Sequence, residues 1–354
     1  MVKSGLQMSF KHILARISLG ACLVLALGEW AAGTARAEIL AWDGEPEPMD
    51  SETVDGTVWK FRIDAGNATV TGGGPDSGAM SIPGRLGGCP VTAIGTQAFD
   101  GRRNLTSVSI PDCVKTIGYS AFARCTGLTG VAIPDGVEEI GEWAFADCTA
   151  LKRVFIGTGT ESIRHLAFGF CPNLTKIEVD AGNPHFTIDD GVLLRRGGRE
   201  LVLVPRDRTG TYEVPAGVVA IHDMAFGDCR ELVRVVLPDS LLGIGEMAFL
   251  QCRKLEAVDF GNGVRVIGGK AFHDCVKLAS VTLPDSVERI GDNAFRFCRD
   301  LKTAVLGAGV RRIDVNAFAD TGLEILRMPA SWRGSPMLER AKIPASCRVV
   351  YGDE

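Results

Sequence analysis

Apolar residues recur along this chain in a fixed frame, and neither the alternation of long strands nor the periodicity of long helices describes them. The frame is Ile-Gly-x-x-Ala-Phe-x-x-Cys-x-x-Leu-x-x-Val, as in the segment that begins at Ile140. Its phenylalanine returns every 23 residues, except for one interval of 58 residues. The nine copies are Phe99, Phe122, Phe145, Phe168, Phe226, Phe249, Phe272, Phe295 and Phe318. Such a period indicates a repeat architecture.

A unit of 23 residues is too short to enclose a hydrophobic core, so successive units must stack to bury their apolar sides. Within a unit, Leu151 to Ile156 alternates between apolar and polar residues, which is typical of a short strand. Ile-Pro-Asp or Leu-Pro-Asp follows in several copies, and proline suits a strand only at its end or edge. Ile117 to Cys125 has apolar spacings of five and three, from which we predict a tight turn with a short helix or 3₁₀ segment.

With its closing proline, the frame Ile-Gly-x-x-Ala-Phe-x-x-Cys-x-x-Leu-x-x-Val-x-Ile-Pro resembles the BspA-like class of leucine-rich repeats over residues 93 to 329. The resemblance implies a β-rich (α/β) solenoid, a right-handed stack of 23-residue coils whose strands form a parallel sheet. It also implies a bacterial cell-surface or secreted protein that binds other macromolecules, some relatives adhering to host matrix proteins. No catalytic residue accompanies the motif.

The chain outside the repeats lacks the repeat frame and has other apolar patterns. Residues 54 to 92 contain an alternating segment beside an Asp-Gly turn, which predicts the N-terminal β cap that a solenoid needs over its first coil. Residues 180 to 214 lose the frame and contain two strand-like segments joined by a Gly-rich tip, which predicts a β-hairpin insertion. The predicted order is a signal peptide at 1–37, a linker at 38–53, the cap at 54–92, repeats 1 to 4 at 93–179, the insertion at 180–214, repeats 5 to 9 at 215–329 and a C-terminal cap at 330–354.

The first 37 residues have the features of a secretory signal. A positively charged leader precedes an apolar run from Ile17 to Leu27, and Ala35-Arg36-Ala37 matches the small-x-small cleavage pattern. We predict cleavage after Ala37. A minor alternative is a lipoprotein signal, because Leu19 to Cys22 resembles a lipobox, although the apolar run continues beyond Cys22. No segment of the mature chain is long and apolar enough to cross a membrane.

Composition argues against several other functions. The formal net charge is −5, and the chain has no basic runs interleaved with aromatic residues. These features argue against nucleic-acid binding. The histidines of the repeats, His165, His222 and His273, occupy three different frame positions, so no catalytic or metal-binding constellation recurs. We therefore predict a protein that is not an enzyme and that has no cofactor and no metal site.

Seven cysteines share one frame position and should form a row, the thiol ladder, at about one strand spacing of 4.8 Å. They are Cys125, Cys148, Cys171, Cys229, Cys252, Cys275 and Cys298. Metal binding needs convergent Cys and His spacings that the chain lacks. Disulfides are compatible with export, but parallel side chains keep the Cβ atoms too far apart for easy bridging. The third interpretation, which we favour, is a buried thiol that lines the corner of each coil.

Outward positions on the predicted strands supply candidate ligand contacts. On the middle coils these positions combine basic, aromatic and apolar side chains, types enriched at the centres of interfaces. The candidates are Arg153, Phe155, Lys176, Arg234 and Val236, which would lie on neighbouring strands. A second candidate set lies on the tip of the insertion, where binding residues are often found: Arg195, Arg196 and Arg199. The alternatives are ordinary surface for the first set and a bulging β-rich coil for the second.

Two classes of function fit these observations. The first is a secreted or surface-exposed recognition module that binds an extracellular protein or glycan for adhesion. The second is a structural spacer or surface-layer component without a specific ligand.

The remaining cysteines give a testable prediction about the cap. Cys89 and Cys113 fall on adjacent turns within one residue of register, at strand ends where loop freedom lets their Cβ atoms turn together. We predict a Cys89–Cys113 disulfide that closes a loop of about 25 residues and contributes about 3 kcal/mol in the chain-entropy model, while Cys347 stays unpaired. Non-reducing peptide mapping of protein purified from an oxidising compartment should recover the linked pair. Recovery of both as free thiols would contradict the bridge.

Overall fold

The structure is a computed structural model that describes residues 50–352. The chain forms a parallel β-solenoid of about 12 turns with almost no helix, which confirms the predicted fold. The predicted signal peptide, its cleavage site after Ala37, the alternative lipobox at Cys22 and most of the predicted linker lie outside the described residues. Within residues 50–352, no helix is long and apolar enough to span a bilayer.

One side of the solenoid carries the longer strands, and we call this side the first ladder. Coils are numbered 1 to 9 after their phenylalanines, from Phe99 to Phe318. Neighbouring strands are parallel and in register by one repeat, as in the row Val131, Val154, Ile177. The ladder contains β4 (Ser77–Ser81), β7 (Asn104–Ser109), β9 (Gly130–Ile133), β11 (Arg153–Ile156), β13 (Lys176–Val179), β17 (Gly210–Glu213), β19 (Leu232–Val236), β21 (Ala257–Asp259), β23 (Ser280–Thr282), β25 (Thr303–Val305), β27 (Ile325–Met328) and β28 (Arg348–Tyr351). Hydrogen bonding is continuous within β4–β13, β17–β21 and β23–β28.

A second ladder consists mostly of two-residue strands. In each repeat coil, its strand directs the isoleucine of the repeat frame inward. It contains β6 (Cys89–Ile94), β8 (Thr116–Ile117), β10 (Glu139–Ile140), β12 (Ser162–Ile163), β16 (Glu200–Leu203), β18 (Ala220–Ile221), β20 (Gly243–Ile244), β22 (Val266–Ile267), β24 (Arg289–Ile290) and β26 (Arg312–Ile313). This ladder is interrupted once, between β12 and β16. Both ladders therefore break at the insertion, and the first ladder breaks again between β21 and β23.

The ends of the solenoid are covered by different elements. At the N-terminal end, β1 (Asp50–Val54), β2 (Thr57–Asp64) and β3 (Asn67–Gly73) form an antiparallel meander that joins β6, and the short β5 (Arg85–Leu86) pairs with β6. Strand structure thus begins at Asp50, before the predicted cap boundary at residue 54. At the C-terminal end, a 3₁₀ turn (Ala330–Trp332) and helix α1 (Met337–Ala341) cover coil 9.

The third side of a coil is a turn. In coils 1–3 and 5–8 this turn is held by three hydrogen bonds to the next coil, which we call the turn ladder. In coil 3 the N–H groups of Trp143, Phe145 and Asp147 donate to carbonyl oxygens of coil 4 at 3.1, 2.8 and 3.0 Å. Trp143 and Asp147, two residues before and after the phenylalanine, have left-handed φ angles of 58° and 57°. The predicted short helix or 3₁₀ segment is wrong, because these left-handed residues turn the N–H groups toward the neighbouring coil.

Close approach between coils explains the glycine after the frame isoleucine. A Cβ on Gly141 would lie 2.7 Å from the carbonyl oxygen of Ile117, and one on Gly268 would lie 2.6 Å from the backbone of Gly245. A residue without a side chain fits these two contacts, whereas coils 4, 5 and 9 carry Arg164, His222 and Asp314 at the same frame position.

The phenylalanine rings form two stacks inside the solenoid. Within coils 1–4 and within coils 5–9, neighbouring rings lie 4.6–5.5 Å apart between centroids and within 22° of parallel. Trp59 of the cap meets Phe99 edge-on at 6.2 Å, and Tyr212 meets Phe226 at 5.6 Å. An aromatic residue from outside the frame therefore covers the first ring of each stack.

The insertion between coils 4 and 5 is partly a bulge and partly a coil. The strands β14 (Phe186–Asp189) and β15 (Val192–Arg195) form an antiparallel hairpin, whose second strand pairs with β16. However, β16 also pairs in parallel with β18, and β17 pairs in parallel with β19. Residues 200–213 thus form an extra coil without the Ala-Phe frame.

The thiol ladder is buried and bonded to the backbone. Six of its thiols donate from Sγ to the phenylalanine carbonyl of the preceding coil at 3.1–3.2 Å, as Cys252 does to Phe226. Cys229 instead faces Pro205 of the insertion at 3.6 Å. In coil 9 the position holds Thr321, whose hydroxyl donates to the carbonyl of Phe318 at 2.8 Å. Burial raises the pKa of Cys125 to about 11 and those of Cys171 and Cys229 to about 12.

The ring stacks give a prediction about stability. Phe272 lies between Phe249 and Phe295 at 5.0 and 5.2 Å and is fully buried. We expect Phe272→Ala to lower the free energy of unfolding by about 3–5 kcal/mol, because it removes a buried ring and leaves a cavity. The matched control, Phe155→Ala, removes a partly exposed ring and should change stability by less than about 1 kcal/mol. Urea unfolding of both variants measures the difference, and equal losses would contradict the stacked core.

Burial and the raised thiol pKa values give a prediction about reactivity. In reduced, folded protein at pH 8, iodoacetamide should leave the thiol ladder unmodified, because alkylation needs an accessible thiolate. The half-buried Cys89, Cys113 and Cys347 should react first and serve as internal controls. All positions should react after denaturation, as mass spectrometry of peptides would show. Rapid native labelling of Cys148, Cys252 or Cys275 would be inconsistent with this structure.

Candidate binding surface

The outward side of β9, β11 and β13 combines the largest exposed aromatic of the first ladder with two basic side chains. On β11 the pattern alternates: Val154 and Ile156 are buried, whereas Arg153 and Phe155 are exposed. The ring of Phe155 keeps 37% of its surface exposed. Lys176 is exposed on β13, in register with Arg153. We call these three residues the outer strand patch.

Small residues border this patch on one side and a charged residue on the other. On β9, Gly130 stands in register with Arg153 and Ala132 with Phe155. The stem of Arg153 lies over Gly130, its Cγ 2.9 Å from the place where a Cβ would be. On β13, Glu178 stands in register with Phe155 and forms an ion pair with Lys176 at 2.8 Å. Phe155 therefore projects next to the small residues Gly130 and Ala132, which form a shallow shelf, and charged groups lie beside it.

The structure does not bring the other two predicted residues to this patch. Arg234 and Val236 lie on β19, which belongs to a separate three-stranded sheet. Arg234 pairs with Asp259 at 2.6 Å, and Val236 is half-buried. The prediction that they neighbour Lys176 is wrong, because the extra coil of the insertion places β17 between β13 and β19 and the first ladder breaks there.

The arginines of the insertion do not converge on a common point. Arg195 is engaged by Glu200 at 3.2 Å and lies 5.3 Å over the ring of Phe186. Arg196 is exposed and reaches the carbonyl of Ala181 at 3.5 Å. Arg199 is exposed near the base of β16. They give this face of the insertion a basic character but no shared pocket.

Two histidine–carboxylate pairs lie at the insertion: one joins coil 4 to coil 5, and the other joins coil 5 to the insertion. His165 of coil 4 contacts Asp223 of coil 5 at 2.6 Å, and this hydrogen bond raises the pKa of His165. His222 contacts Glu200 at 3.0 Å, and this contact lowers the pKa of Glu200. Burial raises the pKa of the Cys171 thiol of coil 4, so this cysteine is not an activated nucleophile.

Two further site predictions concern metals and the disulfide. Within residues 50–352, no group of three or more His, Cys, Asp or Glu side chains is arranged to hold a metal ion. Cys89 and Cys113 are free thiols in the structure, and Cys113 donates to the carbonyl of Gly84 at 3.4 Å. Their oxidation to a disulfide stays a prediction.

One residue of interest has no counterpart among the sequence predictions. Arg206 of the insertion is only 4% exposed and lines a small, partly open cavity between coils 4 and 5. It follows Leu201 by five residues, and Leu201 is in register with the frame residue Ile221. By counting, Arg206 falls where the phenylalanine of a full coil would be, but in the structure the N–H of Val204 makes the bond to Ala225 that the phenylalanine makes in other coils.

Comparison with known proteins agrees with this geometry. A family model described as a BspA type leucine rich repeat region matches residues 90–191 and 211–333 in 6 copies. The solved structure of the pneumococcal vaccine antigen PcpA is similar, with a TM-score of 0.61 and 19% identity over 85% of this chain and 93% of that chain. A leucine-rich cell surface protein from Faecalibacterium prausnitzii A2-165 has a TM-score of 0.53 and 23% identity over 84% of this chain and 98% of that one.

At these identities the two solved structures show a shared fold alone, and no curated protein matches the sequence. The family match is more informative, because it covers more than half of the chain and its gap coincides with the insertion. The chain belongs to the BspA-type leucine-rich repeat family.

Proposed function

We propose that this protein is a secreted or surface-exposed recognition module that binds an extracellular protein or glycan through the outer strand patch. Proteins of this repeat family are typically surface or secreted and generally not enzymes, which supports the class of function. The observation that carries the choice of site is the exposed ring of Phe155, beside Arg153 on the strand face.

The chemistry of the patch suits a flat or extended ligand. An apolar group or the face of a sugar ring can pack on Phe155 above the shelf formed by Gly130 and Ala132. The guanidinium of Arg153 donates in a planar fork that matches carboxylates, and Lys176 supplies a more mobile positive charge. Glu178 can accept from ligand hydroxyl or amide groups. The patch therefore combines an aromatic anchor with donors and an acceptor.

Export is the second part of the proposal. The predicted signal peptide, cleaved after Ala37, would release a mature chain that begins at Glu38. The lipoprotein alternative would instead retain Cys22 as the first residue. Mass spectrometry of protein recovered from a secreting host distinguishes the two N-termini.

A binding experiment tests the patch directly. Arrays of extracellular matrix proteins and glycans are probed with the wild-type mature protein and with the triple variant Arg153→Ser, Phe155→Ser, Lys176→Ser. We expect the wild type to bind a subset of probes and the triple variant to lose at least about tenfold in affinity, since anchor residues dominate interface energies. The matched control is Ser280→Ala with Thr282→Ala, two outward positions on β23 of the same ladder, which should bind like the wild type.

The outcomes separate the two candidate functions. Equal binding by the triple variant would refute this site, and the absence of any retained probe would favour the structural spacer. The stacked rings on either side of the insertion give that alternative its physical basis, because a spacer needs a rigid core.

A further inference from the structure

The turn ladder is interrupted at one coil. In coils 1–3 and 5–8, three backbone N–H groups donate to carbonyl oxygens of the next coil: those of the phenylalanine and of the residues two before and two after it. In coil 4 the corresponding groups belong to Leu166, Phe168 and Phe170. None of these three has a hydrogen-bond acceptor among residues 50–352. Coil 4 therefore presents unpaired donors toward coil 5.

The side chain of Arg206 donates hydrogen bonds to backbone carbonyl groups of coil 5. Its Nη1 donates to the carbonyl oxygen of Ala225 at 3.0 Å and its Nη2 to that of Met224 at 3.3 Å. The carbonyl of Ala225 is the acceptor on coil 5 that the preceding coil uses at this position of the turn ladder. Because the N–H of Val204 also donates to Ala225 at 2.9 Å, this acceptor is fully occupied by the insertion. Leu166 and Phe168 of coil 4 line the same cavity as Arg206.

The positive charge of Arg206 is buried without a carboxylate. Among the described residues, no Asp or Glu oxygen lies within 4.0 Å of its guanidinium. Its Nε is buried and has no hydrogen-bond partner in the protein. The neighbouring Cys229 thiol does not neutralise it, since burial keeps that thiol protonated. A buried charge is normally paired, and an isolated one is costly.

The other charged groups around the cavity are already paired. Arg164 forms two hydrogen bonds with Glu139 at 3.0 and 3.1 Å, and His222 contacts Glu200 at 3.0 Å. Asp223 also lines the cavity, but its Oδ2 contacts His165 at 2.6 Å and its Oδ1 accepts the N–H of Glu246 at 2.5 Å. Arg206 is thus the lining cation within residues 50–352 that has no counter-charge.

These donors surround a cavity of about 40 Å³, lined by residues 163–169 of coil 4, by Val202, Leu203 and Arg206 of the insertion and by residues 222–224 of coil 5. A site needs about 10–15 Å³ to hold one water molecule, so this volume suits a small group and not an organic ligand. Leu166 has a left-handed φ of 52°, and backbone N–H groups around such a residue form the concavities that bind anions.

We propose that this cavity binds one small monovalent anion, of the size of chloride, held by Arg206 and by the N–H groups of Leu166 and Phe168. The anion supplies the counter-charge that the protein lacks and an acceptor for donors that the insertion leaves unpaired. It thereby joins coil 4, the insertion and coil 5. This site is separate from the outer strand patch, so its test does not depend on the proposed ligand binding.

Bromide replaces chloride and scatters anomalously, which makes the site visible. Crystals of the wild-type mature protein grown in sodium bromide are expected to show an anomalous peak inside the cavity, next to the Arg206 guanidinium. A cavity that contains only water, with no anomalous peak, would overturn the proposal. This measurement needs no variant and remains decisive if substitution of Arg206 prevents folding.

Thermal unfolding gives the second measurement. In sodium chloride, compared with sodium gluconate at equal ionic strength, an anion at ten times its dissociation constant favours the folded state about elevenfold. We expect the unfolding midpoint to rise by roughly 2–4 °C. Arg206→Met should abolish this halide dependence, whereas the control Arg253→Met, at an exposed arginine, should retain it. An anomalous peak combined with a halide effect that survives Arg206→Met would show an adventitious ion only and would refute the assigned role of Arg206.

Discussion

The whole structure depends on the close approach of consecutive coils, which lets backbone hydrogen bonds cross from one coil to the next on all three sides. This spacing favours glycine where two backbones approach closely, as at Gly141, and it stacks identical side chains directly above one another. The phenylalanine rings consequently lie at stacking distance, and each ladder thiol reaches the carbonyl of the coil before it. Because of the same close spacing, a change in the backbone of one coil alters the hydrogen bonds of its neighbours.

The repeat frame predicted the parts of the fold that depend on which residues are apolar. Period, strand position and inward direction of Ile, Phe, Cys and Leu follow from burial alone, and they agree with the structure. The turn could not be predicted in the same way. Its left-handed positions hold residues as different as Ser120, Trp143 and Lys270, because hydrogen bonds to the next coil, and not local preference, fix their conformation.

The candidate site was predictable to a similar degree. Alternation along β11 correctly indicated that Arg153 and Phe155 face outward, since the period of two is a local property of a strand. The lateral order of strands was not local, so the separation of Arg234 from Lys176 by the extra coil escaped prediction. Arg206 was missed for a related reason: the extra coil has no Ala-Phe pair, and 20 residues instead of 23 separate Leu201 from Ile221, so the repeat frame does not reveal it.

The thiol ladder has a consequence for how such an array changes length. Each ladder cysteine donates to the carbonyl of the preceding coil, so the group that completes one coil is encoded in the next. Removal or duplication of a whole 23-residue unit inside coils 5–9 would therefore bring a donor and an acceptor of the same kind together at the new junction. The array can therefore lengthen or shorten in steps of one repeat unit. A change by any other number of residues would move each later thiol out of register with its carbonyl acceptor.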